Sequence, residues 1–260
     1  MTRPAISATV ITLNEVDKVK GCLDSVAWAD DVLVLDSGSV DGTVELARSL
    51  GARVVHQEWL GYGRQKNRAA ELAANDWVLN LDADERVTPA LRDALLGAAF
   101  DVPGYSVVRR SDFLGRWHRP VHRPSVERLV RVYDRRVAAF TEAAVHEKVV
   151  SDAGAFVDLE GVLDHYGFRG VDDLVLRLNR YSSLLAAERP GAPSLLRMVS
   201  RPAARLAWGL LRHRGALDGR RGWAYVGLWA AHDLLVEVKR FERSLGPAGT
   251  ARLPEEAGHR

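Results

Sequence analysis

The 260-residue chain has one cysteine, Cys22, only two methionines and a net charge of just +2. A lone cysteine closes no internal disulfide, and Cys-based zinc spacing is missing. A reducing cytoplasmic setting is therefore expected, with Cys22 as a small core residue. The near balance of charge excludes a partner chosen by global electrostatics. Long apolar runs are also lacking: "GWAYVGLWAA" falls short of the roughly 18 residues a spanning helix needs. The amino terminus "MTRPAISATVITLNE" has no charged region, long apolar region or cleavage site of a secretory leader, and reads as a strand. There is no internal repeat and no low-complexity tract. With 47% hydrophobic and 27% charged residues, the chain is expected to fold around a substantial core. No G-x-G-x-x-G follows the first strand, which removes a dinucleotide-dependent oxidoreductase.

What is present alternates between two periodicities. "AISATVIT", "DVLVLD", "ARVVHQ" and "DWVLNLD" are short apolar runs of the kind buried on both faces of a parallel sheet. Between them, Val16, Val19, Leu23 and Val26 recur at helical spacing, Asp41 opens a helix that stops at Gly51, and "GRQKNRAAELAAN" forms a third. "TPALRDALLGAAF" adds a helix with Thr88 as N-cap and Pro89 at its first position. The fold class is α/β, a Rossmann-like, mostly parallel sheet with helices on both faces. Ligands of such sheets bind beyond the carboxyl ends of the strands. Three polar clusters fall there: "TLNE", "DSGSVDGT" and "DADE".

Each cluster has a chemistry. In "WVLNLDADERV", period two sends Asp82 and Asp84 to one side with Ala83 between them, and two carboxylates so placed need a cation. Mg²⁺ or Mn²⁺ would make them a hard-oxygen site open to substrate phosphates. In "DSGSVDGT", Asp36 can accept hydrogen bonds from a ribose or base, while Ser37 and Gly38 allow close backbone approach. Asp41 is the structural member. In "TLNE", Asn14 is expected to cap a helix whose free amides face polar ligand atoms. "GYGRQKNRAA" carries Lys66 and Asn67, a lysine able to neutralise a phosphate.

Taken in order and spacing, "TLNE", "DSGSVDGT", "QKN" and "WVLNLDADE" resemble the family 2 inverting glycosyltransferases of the GT-A fold. Within it the chain is most similar to bacterial enzymes adding sugars, often glucose, to lipopolysaccharide core or related surface glycans. The resemblance implies a metal-dependent hexosyl transfer from a nucleotide sugar, UDP-linked, to a glycolipid or saccharide acceptor. Thr12, Asn14, Glu15 and Asp36 would hold the nucleotide, joined by Ser37, Gly38, Lys66, Asn67 and Ala83. Asp82 would meet the sugar diphosphate, and Asp84 would be the metal ligand proper. An inverting transfer needs a base to take the acceptor's hydroxyl proton. Glu147 in "AAVHEKVV" is the choice, with His146 assisting. His165 in "LDHYG" is a second metal ligand by analogy with related folds. Arg128 and Arg131 in "ERLVRVYD" read as sharing a strand face that could clamp phosphate.

Downstream the pattern becomes strand-rich from Tyr105 to about Asp164, then helical to "PGAP". The expected division is a catalytic domain over 1–190, a basic amphipathic helical extension over 191–245 and a disordered tail over 246–260. From Leu195 to Leu245 ten Arg or Lys face four Asp or Glu. Ser200 reads as the cap of a helix with Arg205 and Arg212 on one face and Leu206 and Leu210 on another. A second helix carries Trp223, Val226, Ala230, Leu234, Val238 and Phe241. Such basic, Trp-bearing helices suit either packing against the catalytic domain or the surface of an anionic membrane, bound in a salt-sensitive manner, which would place the protein peripherally on the inner face of the cytoplasmic membrane. Two rivals are weaker. A phosphohydrolase would want Thr or Val two residues after the second Asp, where Arg86 stands. A non-catalytic nucleotide- or RNA-binding protein using the basic segment leaves the three sheet-edge clusters unexplained.

Overall fold

Strand β1 (Ile6–Thr12) is buried along its whole length, and β2 (Asp31–Asp36) buries its last four residues. Both therefore sit inside a sheet. The computed structural model describes residues 3–117, 126–142, 147–189, 191–212 and 215–246. They form two compact units, one from residues 3–112 and 126–167, the other from 113–117 and 168–246.

In the first unit, β3 (Arg53–His56), β2, β1 and β4 (Trp77–Asp82) run parallel in that order. The sheet then becomes mixed. β8 (Val126–Asp134) pairs antiparallel with both β4 and β6 (Gly104–Phe113), and β11 (Val157–His165) runs parallel to β6. The short β5 (Glu85–Val87) closes the edge antiparallel to β11. Helices α1 (Val16–Ser25), α2 (Thr43–Ser49) and α4 (Pro89–Leu96) lie on one face, where Val19, Cys22, Leu23, Ala47, Leu91 and Leu95 share a core with Ala8, Val10 and Leu79. Helix α3 (Tyr62–Leu72) covers the other face, its Ala69 against Ile11 and Leu35 and its Ala70 in the cluster of Val78 and Tyr133. Adjacent strand residues thus serve opposite cores, as period-two alternation requires.

Thr88 caps α4 as expected, its Oγ1 accepting the Leu91 amide at 3.3 Å. Gly63, in the first turn of α3, lies against the Thr141 carbonyl. An added Cβ would come within 2.1 Å of that oxygen, so only glycine lets the helix pack this closely on the chain leaving β9 (Ala138–Phe140). A short β10 (Val149–Ser151) pairs antiparallel with β9. The two-residue β7 (Arg116–Trp117) belongs to the second unit.

The second unit is built on helices α5 (Val171–Glu188), α6 (Leu195–Ala207) and α7 (Gly219–Ser244), with a π-helical turn at Trp208–Arg212 and a 3₁₀ turn at Gly215–Asp218. Leu174 and Leu178 of α5 pack on Tyr225 of α7 with Phe113. Lys239 of α7 ties the helices further, its ammonium donating to the Asn179 carbonyl at 2.7 Å and to Ser182 at 2.7 Å. α5 therefore lies in this unit, upstream of the "PGAP" stretch that sequence punctuation suggests as a boundary. α6 also begins earlier than expected. Ser194, not Ser200, caps it, accepting from the Arg197 amide at 3.3 Å, and Pro202 lies inside the helix. Among the described residues no helix is long and apolar enough to cross a membrane. The tail expected from 246 onward lies outside the described residues save Gly246.

Candidate active site

The carboxyl ends of β1, β2 and β4 bring the three polar clusters together. Thr12 pairs with Asp36 in register, and Ile11 with Asp82. Asp36 is buried and accepts from Thr12 Oγ1 at 3.0 Å, Gly38 N at 2.9 Å, Ser39 N at 2.8 Å and the Ser39 hydroxyl. Burial opposes its ionisation, but these donors outweigh that and hold its pKa below the usual carboxylate value. With about four acceptor positions on a carboxylate, Asp36 is spent on shaping its own loop, in which Gly38 takes a left-handed φ of 100°.

The amides expected to be free at the start of α1 are already engaged. Asn14 does not cap the helix: it lies in the left-handed region at φ 55°, and Glu15 holds the cap position without a side-chain bond. Asn14 N donates to Ser39 Oγ at 2.8 Å, Glu15 N to Thr43 Oγ1 at 2.9 Å and Val16 N to Asp41 Oδ2 at 3.1 Å. Asn14 Oδ1 in turn accepts the Val40 amide at 2.9 Å. The two loops cap each other, and Asp41 is structural as read from the sequence.

Asp82 and Asp84 do not share a strand face. β4 ends at Asp82, and the chain turns through Ala83 and Asp84 before β5, so period-two alternation stops there. The two carboxylates meet different cations. Asp82 lies 3.2 Å from Lys66 Nζ and 2.8 Å from an Arg131 nitrogen. Asp84 lies 3.6 Å from Lys18 Nζ and 3.5 Å from His165 Nε2. Burial works against both charges, yet Lys66, Arg131 and Arg109 hold the Asp82 pKa far down. His165 and Lys18 lower that of Asp84 against the opposing charge of Asp82. The cation that sequence reasoning demanded of an ion is thus supplied in large part by the chain itself.

Behind them lies fully buried Glu85, which accepts from Arg131, from Arg109 at 3.1 Å and from the Asp82 amide at 3.0 Å. Glu85, Arg109 and Lys18 were not singled out by sequence reasoning. A signal existed for one of them, since Lys18 sits in the apolar period of α1; Arg131, already a candidate from the sequence, likewise interrupts the apolar strand "LVRVY". Arg128 and Arg131 are three residues apart, which in a regular strand means opposite faces. Arg128 accordingly is exposed and paired with Asp158 at 2.6 Å, away from the phosphate-clamp role, while Arg131 is buried at the site.

Lys66 is buried and bridges Asp82 to Glu147 Oε1, 2.9 Å away. Glu147 sits just ahead of β10 rather than within a strand, with a side chain only 16% exposed. Its neighbour His146 lies outside the described residues. Asn67 has a different task from that expected. Its side-chain amide and carbonyl bond both the carbonyl (2.9 Å) and the amide (2.8 Å) of Phe140, pinning β9 to α3. Gln65, fully buried, reaches Ser37 Oγ at 3.1 Å and so couples α3 to the Asp36 loop. Cys22 is a buried free thiol, as expected, pushed above its ordinary pKa by burial and by Glu85, Asp84 and Asp82.

Among the described residues no three His, Cys, Asp or Glu side chains group so as to hold an ion. Asp84 and His165 remain as a pair. β5 and β11 pair with His165 opposite Glu85, and His165 Nδ1 hydrogen-bonds Ser111 Oγ at 2.9 Å. His165 Nε2 lies 3.5 Å from the Asp84 carboxylate, and Lys18 Nζ lies 3.6 Å from it. One or two carboxylates plus substrate phosphates is how Mg²⁺ is commonly held. Asp84 fits that use, and a neutral His165 beside it would add an imidazole nitrogen.

Residues 7–151 match Glycosyl transferase family 2. An uncharacterised glycosyltransferase of Rickettsia typhi is 33% identical over 196 residues, 68% of this chain and 65% of its own length. The lipopolysaccharide core biosynthesis glycosyltransferase LpsC of Rhizobium meliloti is 32% identical over 193 residues, 71% of each chain. Among solved structures, glucosyl-3-phosphoglycerate synthase of Mycobacterium tuberculosis, crystallised with Mn²⁺, UDP and glucosyl-3-phosphoglycerate, aligns at TM-score 0.43 and 23% identity. That alignment covers 70% of this chain and 79% of the synthase. The strand-end clusters therefore lie within a sequence match spanning more than half of the chain, and the chain belongs to glycosyl transferase family 2.

Proposed function

We propose that the chain transfers a hexosyl group, with inversion, from a UDP-linked sugar to a glycolipid acceptor of lipopolysaccharide-core type. The single observation carrying this is the meeting of Asp82, Asp84, Lys66 and Glu147 at the carboxyl edge of the sheet. The similarity to LpsC supports the acceptor class. Asp84 and His165 would hold a Mg²⁺ or Mn²⁺ ion, whose chemistry is to offset the charge gathering on the leaving diphosphate.

Glu147 takes the proton of the acceptor hydroxyl as that oxygen forms its bond to the anomeric carbon. The bond from the anomeric carbon to the diphosphate oxygen breaks, and its electron pair leaves with the nucleotide. Lys66 fixes the Glu147 carboxylate and, beside Asp82, supplies positive charge near the leaving group. Thr12, Glu15, Ser37 and Gly38 line the nucleotide side of this edge. Asp36 and Asn14 shape that wall through their loop bonds. A glycolipid acceptor places the protein at the cytoplasmic face of a membrane.

Hydrolysis and transfer across a panel of nucleotide sugars, with and without EDTA, tests the reading. UDP-sugar turnover that EDTA removes and Mn²⁺ restores is the expected result, together with a rise in melting temperature on adding UDP and Mn²⁺. Stabilisation by RNA and not by UDP would remove the reading.

A further inference from the structure

Helix α6 is inside out. Arg197, Arg201 and Arg205 recur every four residues and so form one face. That face is turned onto α7: Arg197 and Arg201 reach Glu237 at 3.3 and 2.8 Å, and Arg205 reaches Asp233 at 2.8 Å. Leu195, Leu196 and Val199 stand on the opposite side, 77%, 77% and 62% exposed, and no residue of α6 is buried. A surface helix in water does the reverse, turning its apolar stripe to the core and its charges outward. The arginines expected to meet anionic lipid are, in α6, already committed to carboxylates.

We propose that the outward apolar face of α6 inserts into the surface of an anionic lipid bilayer. Charge decides the occupant. The turn that follows α6 and the start of α7 interleave exposed Trp208, Leu211 and Trp223 with exposed Arg212, Arg220 and Arg221. The Arg212 guanidinium lies over the Trp208 ring, 5.9 Å from its centroid. Tryptophan beside exposed guanidinium groups suits the headgroup layer, where rings sit at the boundary and cations meet anionic heads. A second copy docked on this face would bring together two segments that each carry six more basic than acidic residues between Leu195 and Leu245, ten against four. Like charge opposes that pairing, and an anionic surface relieves it. The inference rests on the proposed glycolipid acceptor for its purpose only, because lipid binding is measured without turnover and the two can fail separately.

The full chain is sedimented with vesicles of phosphatidylethanolamine and phosphatidylglycerol at low and high salt. Wild type is expected to pellet and to remain largely bound at high salt, since apolar insertion is not screened. Replacing Leu195, Leu196 and Val199 together by Gln should weaken binding at least about tenfold at either salt. Its circular dichroism and melting temperature should not change, because all three side chains are exposed. Arg212→Ala should cost about fivefold at low salt only. Equal binding by the triple variant overturns the proposal, as does binding that high salt abolishes. A dimer that the triple variant dissolves, with no binding to vesicles, overturns it in favour of a second copy.

Discussion

The two units each bury a knot of arginines and carboxylates, and the knots differ in whether anything is left over. In the helical unit, fully buried Glu237 receives Arg197, Arg201 and Arg240, and Asp233 receives Arg205. Its carboxylates are matched by guanidinium groups, those of Arg197, Arg201 and Arg205 still reaching solvent and that of Arg240 buried, so the knot fastens α6 to α7 and leaves the helix's apolar side outside. In the sheet unit, Glu85 is consumed in the same way by Arg131 and Arg109. Farther out, Asp84 faces His165 across a gap and Lys66 is shared by Asp82 and Glu147. Closed charge networks hold elements together. Open ones can take up a ligand, and this one lies at the strand ends of the sheet unit.

The comparison breaks most sharply at the open knot. Asp84→Asn is expected to lower transfer about 10³-fold by weakening the hold on a metal-bound diphosphate. Glu147→Gln should cost about 10²- to 10⁴-fold in turnover with UDP affinity unchanged. Steady-state kinetics alongside UDP titration distinguishes the two, and either variant retaining full turnover would take that residue out of the chemistry.

The closed knot should answer in stability instead. Glu237→Gln leaves Arg197, Arg201 and Arg240 without their shared partner and should cost about 2 kcal/mol in urea unfolding. The usual loss for a broken buried pair is reduced because Arg197 and Arg201 reach water. UDP binding should be unaffected. A variant as stable as wild type would show that α6 is not fastened by these charges.

The smallest effect concerns acid. Burial opposes the charge of Asp233, but His232 and Arg205 hold its pKa down to about 2, below the ordinary 3.8. A depressed carboxylate stabilises the fold above its unfolded pKa, and that contribution fades as pH falls from about 3.8 toward about 2. Asp233→Asn should flatten this part of the acid-unfolding curve. An unchanged curve would remove Asp233 from the acid response.

Much of the first unit was legible because local rules and burial agree there. "DVLVLD" is β2 residue for residue, and Thr88 and Pro89 start α4 where capping chemistry puts them. The address of the site was legible too, since strand ends collect ligands whatever the side chains. Partners within it were not. Asn67 reads as a ligand contact and instead clamps Phe140, a residue 73 positions away. Arg131 reads as a phosphate clamp paired with Arg128, and Lys18 as an unremarkable charge; their partners appear only when β8 and α1 are folded beside Asp82 and Asp84. Asp84 itself was misplaced by one assumption, that the strand continued past Asp82.

The sequence by itself determined the alternation of strand and helix, the three polar clusters and their place at one edge, because periodicity and turn chemistry act over a few residues. It also determined that the last helices would be amphipathic and basic. Only the tertiary structure decided which charge answers which, and which side of α6 faces outward. Those outcomes depend on groups brought together from distant parts of the chain: a helix carries both its faces in its sequence, but the buried carboxylates of its neighbour choose the one that turns in.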